Sequence, residues 1–422
     1  MAKPAEKLAQ SLGVLQALQD EGIVAIRAKN ISRTHRERLL ENGFIKEVMK
    51  GWYISSRPEE SEGESTAWYA SFWAFCSAYL NDRFGEDWCL SPEQSLLIHA
   101  GNWTVPQQLL VRAPDKGGNK PVDLLFGTSI YDVRTGIPDK KEIVVKDGLR
   151  LYSLAASLIH CAPGCFTQYP IDTRAALAMI KDASDVLSLL LDGGHNRAAG
   201  RLVGGFKNIG RDRIAEDIAK AMKAADYDIR EVDPFETKLP FSFTARENSP
   251  YVNRIRLMWQ QMREPILDLF SGSKTRKVDI DKYLKQVEDI YVTDAYHSLS
   301  IEGYRVSRAL IEKVREGDWR PDIDETDRKH LDALTARGYW QAFQVVKVSV
   351  RKVLEGDNPG DVIENDHGDW YREMFAPGVT VGILKTSDLA GYRNRPVYIR
   401  HSHHVPPNYE AVRDLMPSSK TT

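Results

Sequence analysis

The sequence has few cysteines, no long apolar run and almost no net charge. Its 422 residues include only four cysteines, Cys76, Cys89, Cys161 and Cys165, too few for a disulfide scaffold at this length. We predict buried free thiols, because the CAPGC segment lacks the CxxC spacing of metal sites. No segment approaches the roughly 18 apolar residues that span a bilayer, and no apolar signal core follows the first lysines. We therefore predict a cytoplasmic protein with no membrane partner.

The composition is that of an ordinary globular protein, with 42% apolar and 27% charged residues. At this length we expect about two to four domains. The net charge of −2 conceals a local positive excess, because residues 1–58 hold ten Lys or Arg and six Asp or Glu. A local positive field attracts a phosphate backbone. The sequence pattern around these charges must therefore show whether they form a nucleic-acid-binding surface.

Residues 1–58 show the element order of a winged helix. Leucines at helical spacing predict a first helix that ends near Gly22, and a capping box at Thr34 predicts a short basic helix that Gly43 terminates. Apolar segments at 44–48 and 52–55 flank a glycine-containing turn, which predicts a hairpin. Helix, helix and basic hairpin is the order in which winged helices present a recognition helix and a wing.

A DNA-binding winged helix would place the second helix in the major groove and the wing on the backbone. The candidate DNA-binding residues are Ser32, Arg33, Arg36, Arg38, Lys46 and Lys50. The alternative is a protein-interaction module whose arginines are simply solvated. The run LLENGFIKEVMKGWYIS also resembles the winged helix of AbiEi-like antitoxins, and this resemblance implies a DNA-binding, antitoxin-type regulator.

The apolar pattern of residues 59–235 predicts a mixed α/β domain that follows an acidic linker and has aromatic residues in its core. We interpret the glycines from Gly193 to Gly210, including Gly200, Gly204 and Gly205, as tight turns between helices, because no phosphate-loop pattern is present. The histidines His99, His160 and His195 are far apart in sequence, which favours neutral or exposed side chains over metal ligands. The layout of this region is again similar to the second domain of AbiEi-like antitoxins, which implies an interaction or regulatory role.

From about residue 240 the apolar spacing predicts helices, and one run stands out, YHSLSIEGY at 296–304. Ser298 and Glu302 are four residues apart and share one face of a helix. A carboxylate held there could form an ion pair with an arginine elsewhere in the fold. The alternative is a surface helix end with a glycine stop at Gly303.

The run at 296–304 resembles the inhibitory motif of the Fic family, and a second block from Leu389 to Met416 is similar to that family's flap and the helix after it. The resemblance implies an all-helical domain that transfers AMP from ATP, with Mg²⁺, to a hydroxyl side chain of a target protein. It implies that Ser298, Glu302 and Gly303 form the inhibitory motif. It also implies that Val397, Tyr398 and Ile399 form the flap that holds the target by main-chain pairing.

The chain departs from the Fic family in one essential respect, because none of its 422 residues forms the signature HPFxxGNGR. In the family that signature supplies the base, the Mg²⁺ ligand and the phosphate-binding arginines. We therefore expect a Fic-type protein that is inactive as this chain, whether a fragment, a frameshift product or a natural short form. One alternative is an antitoxin-type DNA-binding regulator. Another is a truncated product whose apolar stripes at Val252 and Leu284 are poorly covered.

The sequence thus predicts a multidomain, mainly helical fold. Its parts are a winged helix at 1–58, a mixed α/β domain at 59–235 and an incomplete, all-helical Fic-type domain at 236–422. The predicted partners are an unknown target protein and DNA, and a homodimer is also open.

Overall fold

The computed structural model describes residues 4–58, 65–115, 117–237, 249–270, 279–318, 331–393, 397, 399 and 402–418. The chain forms two compact units. Unit 1 comprises Met1–Met258 and Pro396–Ala411, and unit 2 comprises Trp259–Arg395 and Val412–Thr422. The described residues are mainly helical with small sheets, as expected. Unit 1 holds both segments predicted as the first and second domains, so the three-domain division stays a prediction.

The first part of unit 1 contains two helices and a three-stranded antiparallel sheet. Its elements in chain order are α1 (Pro4–Asp20), β1 (Ala25–Arg27), α2 (Arg33–Glu41), β2 (Ile45–Met49) and β3 (Trp52–Ser55). The strand order is β1-β3-β2. Leu15 and Leu18 of α1 and Leu39 of α2 are buried in one cluster with Ile26 and Ile45 of the sheet. The helices and the hairpin lie where the apolar spacing predicts them.

The middle of unit 1 begins with a mixed sheet. Its elements are α3 (Thr66–Phe84), β4 (Cys89–Leu90), α4 (Pro92–His99), β5 (Gln108–Arg112), β6 (Pro121–Asp123), β7 (Ser129–Val133), β8 (Ile143–Lys146) and β9 (Leu149–Tyr152). The strand order is β4-β5-β7-β6, with β5 and β7 parallel and the outer pairs antiparallel. The aromatic residues Trp68, Phe72 and Phe75 of α3 are buried with strand residues. These aromatic side chains form the core of this layer.

The rest of the middle region is helical, and six helices follow the sheet. They are α5 (Leu154–His160), α6 (Gly164–Gln168), α7 (Pro170–Met179), α8 (Ser184–Asp192), α9 (Asn196–Asn208) and α10 (Asp212–Ala224). Gly194 and Gly210 have positive φ angles and lie in the turns on either side of α9, as predicted.

The prediction that Gly200, Gly204 and Gly205 lie in tight turns is wrong, because all three lie inside α9. A Cβ on Gly200 would lie 1.9 Å from the carbonyl oxygen of Arg230, and one on Gly204 would lie 2.2 Å from that of Val232. The Val232 N–H donates to the Gly200 carbonyl at 3.1 Å. These glycines therefore allow the backbone after α10 to run directly against the helix.

Two segments distant in sequence also pack on the middle region of unit 1. Arg254 Nε lies 2.8 Å from Asp172 Oδ1, and Tyr251 lies against Gly101. From the carboxy-terminal segment, His403 Nε2 lies 2.9 Å from the Tyr69 hydroxyl. The His403 carbonyl accepts from the Val105 N–H at 2.9 Å. Residues near 250 and near 403 thus complete this unit.

Unit 2 is helical in its described residues. Among the described residues the remaining helices are α11 (Pro250–Phe270), α12 (Ile280–Ile301), α13 (Arg308–Glu316), α14 (Leu331–Glu355), α15 (Pro359–Thr380) and α16 (Tyr409–Ser418). Helices α11 and α16 each begin in unit 1. Residues of α12, α13 and α14, including Tyr291, Ile311 and Leu334, form one buried cluster. The long helices α14 and α15 pack as a helical hairpin.

The apolar stripes that we expected to be poorly covered are buried only in part. Val252 is 1% exposed and Leu284 is 6% exposed, so that expectation is wrong for both residues. Other members of the same stripes are exposed, namely Met258, Trp259, Tyr283 and Ile290, and so are Leu269 and Phe270 in the second half of α11. Among the described residues, no helix is both long enough and apolar enough to cross a bilayer.

Candidate functional site

The helix end at Ser298 to Gly303 is a complete glycine-terminated cap. Helix α12 ends at Ile301, and Gly303 follows with a φ of +89°. The Gly303 N–H donates to the Ser300 carbonyl at 3.0 Å, and the Tyr304 N–H donates to the Leu299 carbonyl at 3.0 Å. This pair of bonds is the Schellman arrangement. The sequence SLSIEG therefore folds as a helix stop, which is the structure that the simpler interpretation of the motif predicts.

The same helix end borders a cavity of about 650 Å³ within unit 2. Ser298 and Glu302 both line this cavity, as their spacing of four residues predicts. The other walls come from α14, from the end of α15 and from the segment just after it, and they are largely apolar, with Leu334, Phe375 and Leu384 among them. The volume is in the range of ligand pockets.

Ser298 belongs to a small polar cluster on one wall of the cavity. The Tyr339 hydroxyl donates to Asp294 Oδ2 at 2.6 Å, and Ser298 Oγ lies 3.4 Å from the same hydroxyl. Burial raises the pKa of Tyr339, and the bond to Asp294 raises it further. The phenol is therefore a neutral donor. Sequence reasoning missed Tyr339 and Asp294, because Tyr339 comes from α14 and has no local motif.

Glu302 is exposed and forms no ion pair among the residues that the structure describes. The described lining of the cavity includes no lysine or arginine. A nucleoside triphosphate needs cationic side chains or a backbone nest for its phosphates. The described lining of this cavity therefore offers no cationic partner for the phosphates of ATP, and binding of ATP with Mg²⁺ stays a prediction of the resemblance.

The predicted flap is described only in part. Val397 is 46% exposed and Ile399 is 52% exposed, and neither belongs to a helix or a strand. Tyr398 lies outside the described residues. Target binding at this segment stays a prediction.

Three of the predicted DNA-binding residues are exposed at the surface of the amino-terminal part. Ser32 is the N-cap of α2 and accepts from the His35 N–H at 3.4 Å. Arg33, in the first turn of α2, pairs with Glu37 at 2.6 Å, and its side chain is 82% exposed. Lys50 is exposed at the turn between β2 and β3. A phosphate could replace Glu37 as the partner of Arg33, because an exposed ion pair contributes little free energy.

The other three predicted DNA-binding residues make contacts within unit 1. The Arg38 guanidinium donates at 2.8 Å to the Lys7 carbonyl and at 2.8 Å to Ser11 Oγ, which joins α2 to α1. The Arg36 guanidinium lies over the Tyr53 ring at 5.7 Å. Lys46 Nζ lies 4.8 Å from the centre of the Phe126 ring. These contacts hold all three side chains against the protein.

The cysteines and histidines form no metal centre in the part of the chain that the structure describes. The prediction of buried free thiols is confirmed for all four cysteines. The rings of His160 and His195, distant in sequence, lie 5.1 Å apart. Burial lowers the pKa of His160, and the neighbouring His195 lowers it further, so this side chain is neutral at pH 7.

Comparison with known proteins adds no family or fold assignment. Neither a family model, nor a curated protein, nor a solved structure matches the chain.

Proposed function

We propose that the protein is a Fic-type protein whose unit 2 carries the inhibitory element of an AMP-transferase without its catalytic helix. The observation that carries this proposal is the position of Glu302, which lies at the end of α12 on the edge of a 650 Å³ cavity, on the same side as Ser298. An inhibitory carboxylate must face the nucleotide site from a fixed helix end. The Schellman cap at Gly303 provides such a fixed end.

The proposal assigns a regulatory role to unit 2 and no catalytic step to this chain. Its largely apolar cavity walls suit a covering element of protein better than a polyphosphate. The missing signature helix is such an element, because in the family it carries the arginine that the inhibitory glutamate binds.

The first test is AMP transfer by the chain itself. We expect no transfer from labelled ATP to any protein, with or without Glu302→Gln. Robust labelling by the purified chain would contradict the loss of catalysis, because no residue of the sequence supplies the signature.

The second test restores the missing segment. A signature-bearing helix of the Fic type is joined after Met416, and AMP transfer is measured. We expect transfer that is low with Glu302 and at least tenfold higher with Glu302→Gln. Glu312→Gln is the matched control, since Glu312 is exposed on α13 and does not line the cavity. Equal rates in the two variants would exclude the inhibitory role of Glu302.

A second candidate function is DNA binding by residues 4–58, as in an antitoxin-type regulator. The specific observation in its favour is the joint exposure of Arg33 at the start of α2 and Lys50 at the tip of the hairpin. In a winged helix these two positions face the groove and the backbone. Arg36, Arg38 and Lys46 already make contacts within the protein. We therefore expect DNA to place fewer phosphates on this part of the chain than its number of basic residues suggests.

Salt dependence tests this second function. We expect retention of promoter DNA that weakens as salt rises, and a slope of log affinity against log salt that falls by about 2 when Arg33 and Lys50 are replaced by glutamine. The control pair is Arg213→Gln with Lys220→Gln, two exposed basic residues of α10. If the Arg33 and Lys50 pair behaved like the control pair, the DNA-binding proposal would fail.

A further inference from the structure

A second cavity, of about 620 Å³, lies within unit 1 at the start of α9. Its described lining includes three arginines, Arg197, Arg201 and Arg230, and one carboxylate residue, Asp228. Arg197 and Arg201 are four residues apart and share one face of α9. Like charges at this spacing destabilise a helix unless something neutralises them. The described lining of the cavity therefore carries an excess of positive charge.

Arg201 is held in place by backbone groups of α5 and the residue after it. Its Nη2 donates to the carbonyl oxygens of Leu158, Ile159 and Cys161 at 3.3, 3.1 and 3.1 Å. Its guanidinium carbon lies 5.1 Å from the centre of the Phe166 ring. The Nε of the same side chain is buried and has no hydrogen-bond partner. The bonds to these carbonyl groups fix the charge of Arg201 at the wall of the cavity.

The two outer arginines are available to a ligand. Arg197 and Arg230 are exposed and form no ion pair with any residue that the structure describes. Arg197 lies in the first turn of α9, a helix of 13 residues whose N-terminal end attracts negative charge. Arg230 comes from the segment that runs against the glycines of α9. That close packing brings Arg230 to the same cavity as Arg197 and Arg201.

The remaining walls indicate the rest of the ligand. Asn196 and Thr167 line the cavity and provide polar side chains that can form a hydrogen bond with a ligand hydroxyl. Pro163, Val232 and Pro234 provide apolar surface. Guanidinium groups bind phosphate through paired, charge-assisted hydrogen bonds. We propose that this cavity is a binding site for a small hydroxylated phosphomonoester of the sugar-phosphate class. The site is separate from the cavity at Glu302 and does not depend on the proposed function.

Calorimetric titration of the full chain tests the site with three probes, ribose 5-phosphate, inorganic phosphate and ribose. We expect ribose 5-phosphate to bind more tightly than inorganic phosphate, and ribose to give no heat. Replacing both Arg197 and Arg230 with glutamine should weaken the binding of ribose 5-phosphate at least tenfold. The control variant Arg213→Gln with Lys220→Gln removes two exposed cations of α10 that do not line the cavity, and it should bind like the original chain.

Two further variants keep the test decisive. Arg230→Gln alone leaves α9 unaltered, and Arg197→Lys with Arg230→Lys keeps the charge but removes the planar guanidinium. We expect intermediate loss of affinity in both. The proposal is overturned if ribose 5-phosphate gives no heat at millimolar concentration. It is also overturned if the glutamine variants bind with unchanged affinity, or if ribose binds as well as its phosphate.

Discussion

At the scale of single residues, Asp366 shows how unit 2 is held together. Its carboxylate accepts from Ser349 Oγ at 2.6 Å and from Lys352 Nζ at 2.8 Å, and Trp370 Nε1 donates to the same serine at 3.0 Å. These bonds join α14 to α15. The Lys352 and Ser349 bonds hold the pKa of Asp366 below its usual value.

Asp366→Asn should lower the free energy of unfolding of unit 2 by about 1 to 2 kcal/mol at pH 7, because it weakens two charge-assisted bonds. Since the native pKa is depressed, the advantage of aspartate is present at neutral pH and is lost as the pH falls below about 4. Denaturant unfolding at pH 7 and pH 3 measures both effects. Asp357→Asn, at an exposed position before α15, is the control and should change the stability by less than about 0.5 kcal/mol. An equal loss at both pH values would contradict the ionic role.

Gly204 is a second residue whose importance for stability depends on a close tertiary contact, here with the backbone of Val232. Gly204→Ala would place a Cβ 2.2 Å from the carbonyl oxygen of Val232, so the backbone must move. We expect a loss of about 2 to 3 kcal/mol in the stability of unit 1. Gly13→Ala is the matched control, because Gly13 also lies in a helix but a Cβ added there would have no atom within 4 Å. It should gain about 0.5 to 1 kcal/mol. Similar effects at both glycines would argue against the close approach.

At the scale of elements, the end of α12 combines a folding signal with the proposed inhibitory group. Gly303 has a φ of +89° and open space around it, so alanine would meet backbone strain but no clash. Gly303→Ala should lower the stability of unit 2 by about 1 kcal/mol. Ser300→Ala, at an exposed position of the same helix end, should change it by less than about 0.5 kcal/mol. Chemical unfolding of both variants measures the difference, and equal stabilities would show that the cap contributes nothing.

Local patterns predicted the elements well where the cause of the structure is local. The leucines of α1 and the glycine stop after α12 act within a few residues, and both elements lie where their patterns place them. The capping box predicted at Thr34 is wrong, because α2 begins at Arg33 and its N-cap is Ser32, which leaves Thr34 inside the first turn. The glycines of α9 were misinterpreted, because the backbone that requires them lies about 30 residues further along the chain.

The candidate sites were likewise predictable where their residues are close in sequence and were missed where tertiary packing brings the residues together. Spacing alone placed Ser298 and Glu302 on one cavity wall. Charge alone could not show that Arg38 bonds to α1 or that Lys46 lies on Phe126, because both partners come from elsewhere in the fold. The arginine-lined cavity was also missed, since Arg230 joins Arg197 only through tertiary packing.

At the scale of the whole molecule, three histidines make unit 1 sensitive to acid. Burial lowers the pKa of His99, His160 and His404, and Arg254 adds to the effect at His404. The native state therefore binds fewer protons than the unfolded state. Their contribution to stability is complete above about pH 6.5 and is lost as the pH falls through the native pKa values.

We expect the melting temperature of unit 1 to fall between pH 7.5 and pH 5, and His404→Gln to reduce the change. Hydrogen exchange of peptides from α4 and β9, which surround His99, assigns the loss to this unit. Constant protection across this pH range would contradict the prediction.

The return of residues 396–411 to unit 1 has a consequence for protein synthesis. The ribosome must translate all of residues 259–395 before His403 can reach Tyr69 and Val105. At about 5 to 20 residues per second, the wait between Met258 and His403 is about 7 to 30 s. Throughout that interval the Val105 N–H and the apolar surface beside it have no native partner. The nascent chain therefore offers a temporary binding site to chaperones, and that site closes only after His403 has been translated.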